Sequence, residues 1–236
     1  YYFIRDIEDW APHFDKVVEA FNLDMKRLVV ADWIKDYLEE RLGLSVEEVI
    51  RNGFNFAKFS VKNKIYEKEN ITISMIFSSH PMKGMSDASK VLEKIFNKFP
   101  SVNILLFGFE SRPKNLNFKF NYIRGAAGDK VREIYKKTDI FFCPSLQEGF
   151  HNPPSEAMAG KCAVLATSVG STPFTLNHMK NGILVDPGDI NAMEKYLTLL
   201  IEDYDLRFSL SEAGHKSIQN LTWDHSIKKL DKLFTG

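Results

Sequence analysis

Two glutamates, Glu148 and Glu156, are separated by Gly149-Phe150-His151-Asn152-Pro153-Pro154-Ser155, and that stretch holds most of the chemistry the sequence offers. The prolines carry no N–H, so the backbone donors ahead of the following helix are those of Gly149, Phe150, His151 and Asn152. Free amides at a helix start suit an anion, because they and the helix dipole present positive charge together. A second group lies upstream, in Ser78-Ser79-His80-Pro81-Met82-Lys83-Gly84. An ammonium such as that of Lys83, donating to the same anion, adds about 1.5 to 3 kcal/mol. The expected chemistry is an anion held by Lys83 and loop amides, with two carboxylates facing the same crevice. One glutamate near a helix start would signify little, since pairing with the helix dipole brings only about 0.3 to 1 kcal/mol.

Strands and helices must bring these groups to one edge. Thr138-Asp139-Ile140-Phe141-Phe142-Cys143-Pro144-Ser145 is an apolar run stopped by proline, the pattern of a strand buried on both faces, and Glu148 is expected at its end. Pro153 and Pro154 fit the start of a helix capped by Asn152. From Ile71 the rhythm is regular. Ile71 to Phe77 reads as a strand, Asp87 to Phe99 as a helix with Ala88, Val91, Leu92, Ile95 and Phe96 on one stripe, and Val102 to Phe107 as a strand ending at Gly108. Lys119 to Ile123 is a further strand before Arg124-Gly125, and Lys130 to Lys137 a helix. Two helices fill Asp189 to Asn220, and Thr222-Trp223-Asp224-His225 begins a last one through Leu233. Alternation of this kind gives an α/β fold with a Rossmann-like parallel sheet covered by helices on both faces. Ligands of such sheets bind outside the carboxyl ends of the strands, where both the Lys83 loop and the Glu148 loop are expected.

Composition narrows the class. With 236 residues and 44% apolar content, the chain can bury a full core. Lys and Arg balance Asp and Glu at 31 each, which gives no general basic field for nucleic acid and confines any positive site to a local cluster. Cys143 and Cys162 sit in apolar strand-like runs without metal-ligand spacing, so they read as reduced core residues in a reducing cytoplasm. The longest uncharged stretch, Cys162 to Met179, is interrupted by Ser, Thr, Gly and Pro and does not read as a membrane span. His13, His178, His215 and His225 have no partner at ligand spacing and are expected to be structural.

Glu148 to Glu156 followed by Ala157-Met158-Ala159-Gly160, then Lys161-Cys162-Ala163-Val164-Leu165-Ala166-Thr167-Ser168-Val169-Gly170, then Asn181-Gly182-Ile183-Leu184-Val185-Asp186-Pro187-Gly188-Asp189, together resemble the signature of the retaining glycosyltransferases of family four, which have the GT-B architecture. The resemblance covers almost the whole chain and is strongest from Asp139 to Asp189. It implies transfer of a sugar from a nucleoside-diphosphate sugar, with retention and without a bound metal or other cofactor. It implies that Glu148 contacts the donor sugar, that Glu156 accepts from the ribose hydroxyls, and that Lys83 and the amides of Gly149, Phe150, His151 and Asn152 meet the diphosphate. By the same resemblance, backbone at Ile123 faces the nucleobase. Two departures stand out. The family places Gly-Arg a few residues before its Lys-Gly step where this chain has Phe77-Ser78, leaving His80 or Arg124 as substitutes for the missing cation. Gly170-Ser171-Thr172-Pro173 matches a turn that leads to an acid in the family, and here it leads to Phe174.

The resemblance also sets expectations about extent. Ala31-Asp32-Trp33-Ile34-Lys35-Asp36-Tyr37-Leu38, in a helix from about Ala31 to Leu42 with Gly43 behind it, and a strand Val46 to Ile50 before Arg51-Asn52-Gly53, match the end of the family's N-terminal domain. The expected division is residues 1–55 as a remnant of the acceptor-side domain, 56–70 as linker, 71–221 as the donor-binding domain, and 222–236 as a helix that crosses back to the N-terminal part. A chain so divided lacks most of the acceptor wall. The resemblance implies a glycan or lipid-linked glycan as acceptor, no nucleic-acid partner, and a cytoplasmic place that extends to the membrane surface through the N-terminal region this chain lacks. Two other classes share the halves of such a fold: a non-catalytic nucleotide-sugar binding module, and another GT-B enzyme such as a sugar-nucleotide epimerase.

Overall fold

The computed structural model describes residues 1–62, 64–66 and 69–235. Within the stretch expected as linker, Asn63, Glu67 and Lys68 lie outside the described residues, as does the terminal Gly236.

Six parallel strands form the larger sheet: β4 (Thr72–Ile76), β5 (Asn103–Gly108), β6 (Asn121–Arg124), β7 (Ile140–Cys143), β8 (Ala163–Thr167) and β9 (Ile183–Val185), in the order β6-β5-β4-β7-β8-β9. Counted within the sheet this is the doubly wound order 3-2-1-4-5-6, with its reversal between β4 and β7. The apolar runs are explained by burial on both faces. Ile140 and Phe142 pack on one side with α4 (Met85–Lys98) and α8 (Ile190–Glu202). Phe141 and Cys143 pack on the other with α5 (Asp129–Lys137) and α6 (Asn152–Ala159). The helix stripe on α4 buries Ala88, Val91, Leu92 and Ile95, with Phe96 packed at its margin. Side chains of Asp189 and Asp203 cap α8 and α9 (Tyr204–Ser217) by accepting from Ala192 N and Leu206 N.

A smaller parallel sheet, β1 (Tyr2–Ile4), β2 (Arg27–Val29) and β3 (Glu48–Val49), precedes it. Its core of Ile4, Ile7, Val29, Ile34, Leu38 and Val49 also takes in Phe150 from the larger unit. The expected strand Val46 to Ile50 is reduced to the paired residues Glu48 and Val49, flanked by the Glu47 and Ile50 amides, which donate to the β2 carbonyls of Arg27 and Val29. The expected helix from Ala31 to Leu42 is α2 (Asp32–Asp36) running into a π-helical turn (Tyr37–Arg41), and Gly43 follows at φ +65°. Among the described residues three helices escaped the sequence reading: α1 (Phe14–Phe21), although Phe14, Val17 and Phe21 recur on one stripe, and the single turns α3 (Phe56–Phe59) and α7 (Thr172–Thr175).

Between the sheets, α3 (Phe56–Phe59) packs through Phe59 on the face of the larger sheet that carries α5 and α6. Lys64 is buried there, its ammonium donating to the carbonyls of Tyr135, Thr138, Gly160 and Lys161. These carbonyls lie at the ends of α5 and α6, where helical bonding stops; Tyr135 O also accepts from the Thr138 amide, and the one cation serves the others beside it. Burial drives the pKa of Lys64 down, while Cys162 and Asp139 oppose the shift. The last helix, α10 (Trp223–Thr235), lies against the smaller sheet: Ser226 Oγ donates to Arg51 O, Lys229 pairs with Glu48 at 2.7 Å, and the Tyr1 hydroxyl donates to Leu233 O at 3.0 Å.

Candidate functional site

The loops after β4 and β7 leave the sheet at its point of reversal and meet there. Lys83 ends a short 3-10 turn (Pro81–Lys83), and its Nζ donates to both carboxylate oxygens of Glu148, at 2.7 and 2.9 Å. Ser145 Oγ donates to Glu148 Oε1 at 2.8 Å. Glu148 does not stand at the strand end, as its sequence position suggested. The strand stops at Cys143, and Pro144 to Gln147 form a loop fixed by the Leu146 amide donating to Met82 O at 2.7 Å. The Glu148 side chain is 14% exposed and that of Lys83 41%, so the acid is the fixed partner and the ammonium the movable one.

His151 underlies this pair. Its ring is 1% exposed, with Nε2 3.0 Å from Cys143 Sγ and 3.7 Å from Glu148 Oε1, and Nδ1 2.8 Å from Thr172 Oγ1. The inward ring is reached through a left-handed backbone, φ +77°, and this moves the helix start: His151 is the residue before α6, and Asn152 is already helical. The expectation of Asn152 as cap is therefore corrected by one position. The prolines still fall in the first turn, where no amide is needed. Burial raises the Cys143 thiol far above its ordinary range, with Glu148 adding to the shift, and keeps it protonated. Burial also pushes His151 down to about 4, Glu148 opposing and Lys83 reinforcing. A folded pKa below the unfolded value of 6.5 means that this neutral imidazole supports the fold above pH 6.5 and loses that support as pH falls towards 4. Relative to pH 7, the protein is expected to lose about 2 kcal/mol at pH 5 through this residue. Urea unfolding at the two pH values, with His151→Gln as the reference, checks it; an equal loss in the variant would mean that other groups carry the pH dependence.

The other residues singled out in the sequence are placed as follows. Gly149 is pressed against the segment after β1: a Cβ there would come 1.9 Å from Arg5 O. Its carbonyl accepts from Trp33 Nε1 at 2.8 Å. The Phe150 ring sits in the core of the smaller sheet, which leaves only its backbone for a ligand, and the Phe150 carbonyl accepts from the Ser171 amide at 2.8 Å. Glu156 lies in α6, 3.4 Å from the Tyr135 hydroxyl, and burial raises its pKa against the opposing pull of that hydroxyl and of Lys58. Ile123 is 36% exposed near the end of β6, on the same carboxyl edge. His80 and Arg124 are engaged locally: His80 Nδ1 accepts from the Met82 amide, and Arg124 Nε donates to Phe109 O at 3.4 Å. At the Phe77-Ser78 departure, Ser78 Oγ and the Ser79 amide both donate to Glu110, whose pKa is lowered chiefly by its bonds from Ser79. Phe174, where the family has an acid, lies under the Arg51 guanidinium at 4.5 Å.

Sequence reasoning gave no site role to Ser145, Thr172, Trp33 or Gly170, although Thr172, Trp33 and Gly170 lay in stretches that it matched. Gly170 takes φ +58°, and a Cβ there would sit 2.9 Å from Glu148 O. Beside the loop lies a hollow of about 450 Å³, bordered by Arg5, Asp6, Glu8, Asn52, Glu148 and His151 among others. Among the described residues no three His, Cys, Asp or Glu side chains group as metal ligands, and no helix is long and apolar enough to cross a membrane.

Comparison with known proteins gives three kinds of likeness. The model of the family described as "Glycosyl transferases group 1" matches residues 55–217. The capsular polysaccharide biosynthesis glycosyltransferase CapM of Staphylococcus aureus is 26% identical over 185 residues, which are 72% of this chain and 48% of that protein. The chain spans about half the length of the curated relatives it matches. Among solved structures, sucrose-phosphate synthase from Thermosynechococcus elongatus superposes with a TM-score of 0.82 at 18% identity, covering 99% of this chain and 66% of that one. Anabaena HepE in complex with UDP-glucose gives 0.80 at 16%, covering 99% and 71%. At such identities the structural likeness concerns the fold.

Proposed function

The chain belongs to the group 1 glycosyl transferases, and from that premise we propose that it binds a nucleoside-diphosphate sugar at the carboxyl edge of the larger sheet and, in the whole protein, transfers the sugar to a glycan or lipid-linked acceptor. The observation that carries the reading is the convergence of Lys83 and Glu148 at the reversal between β4 and β7. Glu148, fixed by Ser145 and aligning Lys83, holds hydroxyls of the donor sugar. Lys83 retains a third donor for the diphosphate, and its exposed side chain turns to it as charge builds on the leaving group. The amides of Gly149, Phe150, His151 and Asn152 add fixed positive poles, which act most strongly when the crevice closes and water leaves. Glu156 accepts from the ribose, and the end of β6 at Ile123 borders the base. HepE, with UDP-glucose bound, and CapM, named for capsular polysaccharide biosynthesis, support a nucleotide-sugar donor and a glycan acceptor.

Membership of family four is supported by the resemblance carried by the Glu148 to Glu156 stretch and the Asn181 to Asp189 segment, and retention is what that resemblance implies. Work in the cytoplasm, at the membrane surface when the acceptor is lipid-linked, follows from the same resemblance. The reading requires no metal, since Lys83 and the loop amides supply the positive groups that a cation would otherwise bring. Titration with UDP, GDP, dTDP and ADP, with and without chelator, is expected to give one clearly preferred nucleotide whose affinity is the same in both series. Affinity that collapses in chelator would assign the charge partner to a metal instead, and absence of binding by all four would remove the donor site.

A further inference from the structure

The donor reading uses the His151 backbone and leaves its ring without a task. That ring is held under strain. His151 takes φ +77°, a region rarely adopted by residues with a Cβ, and such strain persists only where the surroundings over-determine it. Here the surroundings are the turn into α7: the Ser171 amide and hydroxyl both donate to Phe150 O, and a Cβ at Gly170 would stand 2.9 Å from Glu148 O and 3.1 Å from Phe150 O. The two loops are thereby fastened together beside residue 151, and Thr172 Oγ1 is set 2.8 Å from His151 Nδ1.

The protons of this cluster follow from its partners. Among the described residues the Thr172 hydroxyl has no other hydrogen-bond partner, so its proton goes to Nδ1, and the neutral imidazole then carries its own proton on Nε2. Nε2 faces Cys143 Sγ at 3.0 Å and Glu148 Oε1 at 3.7 Å. A thiol is a weaker donor than a hydroxyl, and this one has Ser145 as a second partner, so it does not reverse the tautomer. Ionisable groups facing the ring are Glu148, Lys83 and Cys143, and burial, the largest influence, keeps the ring neutral at pH 7. An N–H is thus held below the Glu148 carboxylate, just beyond hydrogen-bond distance.

While Lys83 and Ser145 both donate to Oε1, Glu148 has no need of it. The need arises when Lys83 turns to a diphosphate. Glu148 then keeps Ser145 alone, close to a second acid: a Cβ at Gly149 would come 3.5 Å from Asp6 Cβ, and the pKa of Asp6, raised chiefly by burial, is raised further by Glu148. A shortening of about 0.5 Å brings Nε2–H within hydrogen-bond range of the carboxylate.

Resting on the function proposed above, we propose that His151 is a positioning residue for Glu148: its Nε2–H, fixed in one tautomer by Thr172, replaces Lys83 as donor to the carboxylate when Lys83 turns to the diphosphate, and so keeps Glu148 aimed at the donor sugar.

The test uses the whole protein with UDP-glucose, UDP-N-acetylglucosamine, GDP-mannose, dTDP-rhamnose and ADP-glucose as probes, each beside its free nucleoside diphosphate. In ¹⁵N-labelled wild type at pH 7, the His151 ring, identified by its absence from the spectrum of His151→Gln, should carry its proton on Nε2. His151→Asn keeps a side chain tolerant of positive φ and an acceptor for Thr172 but is too short to reach Glu148. Its affinity for the best sugar donor should fall roughly 10- to 100-fold, as loss of a hydrogen bond to a charged group does, with affinity for the free nucleotide unchanged. His151→Gln, long enough to bring an amide N–H to the place of Nε2, should recover most of that loss. Unchanged nucleotide affinity also shows that the variants are folded, and the tautomer is read on the wild type. The proposal is overturned if the proton sits on Nδ1, if His151→Asn binds the sugar donor as the wild type does, if His151→Gln is as weak as His151→Asn, or if His151→Asn loses the free nucleotide equally, which would assign the effect to the loop amides. Those results leave the donor site standing. Failure of the wild-type protein to bind any of the probes would remove the donor site, and the proposal with it.

Discussion

Glu148→Gln is expected to lower sugar transfer by about 10²- to 10³-fold, the loss typical when one preorganised electrostatic group is removed from a site, while nucleoside diphosphate affinity stays as in the wild type. The two halves of this expectation come from the role proposed for Glu148 at the donor sugar. Glu148 is an acceptor for Lys83 and Ser145 and borders the hollow, so its charge aligns Lys83 and, in the proposed reading, serves the donor's hydroxyls. Glutamine keeps the shape and one acceptor oxygen but gives up the negative charge, and its amide NH₂ meets an ammonium that cannot accept from it. Glu156 supplies the contrast. It lies beyond the prolines in α6, half buried against the Tyr135 hydroxyl, and its proposed partner is the ribose. Glu156→Gln should therefore weaken free nucleoside diphosphate by about 1 to 3 kcal/mol. Calorimetry with the nucleotide and steady-state transfer with the matching sugar donor separate the two variants. Equal losses of nucleotide affinity would contradict the division of roles.

The second large effect is expected at a residue with no side chain. Gly84 follows Lys83 at φ +68°, and a Cβ there would sit 1.9 Å from Pro144 O, inside the backbone of the loop that carries Glu148. This close approach brings the start of α4 against the end of β7 and so sets the distance between Lys83 and Glu148. Gly84→Ala combines a left-handed backbone for a residue with a Cβ, about 1 to 2 kcal/mol, with overpacking of about 1 to 3 kcal/mol. Because the obstruction is a carbonyl that no rotamer change removes, the expected loss is roughly 4 to 5 kcal/mol. Gly43→Ala isolates the first part, since Gly43 has a similar φ of +65° and nothing within 4 Å of the added atom. Denaturant midpoints of the two variants measure the difference. A Gly84→Ala loss no greater than that of Gly43→Ala would show that contact with Pro144 is not what seats the Lys83 loop.

How much of this was legible in advance depended on the range over which each feature is determined. The strands were read because both faces are buried, so Ile140-Phe141-Phe142-Cys143 is apolar without alternation. Helix α4 was read because its one buried stripe recurs with the helical period. The two glutamates, the loop amides and Lys83-Gly84 were read because residue type and local spacing carry them. The cap of α6 was misplaced by one residue, since the sequence shows the prolines but not the inward turn of His151 towards Cys143 and Thr172.

Partner choice was not written locally. Lys83 and Glu148 are 65 residues apart, and what joins them is the strand order that sets β4 beside β7. Phe150 reads as a loop aromatic and is buried in the smaller sheet's core; Trp33 reads as a helix residue and donates to Gly149 across 116 positions. Lys64 falls in the expected linker and is buried beneath the ends of α5 and α6. By itself the sequence determined the parallel sheet, most of its helices and the placing of Lys83 and Glu148 in loops at the carboxyl edge, because periodicity and residue type report how each segment meets water. The pairing of Lys83 with Glu148, the buried imidazole below them and the meeting of Asp6 with Gly149 were decided by the tertiary structure, because each joins atoms whose proximity follows from the winding order of the sheet and the close approach of backbones at glycine.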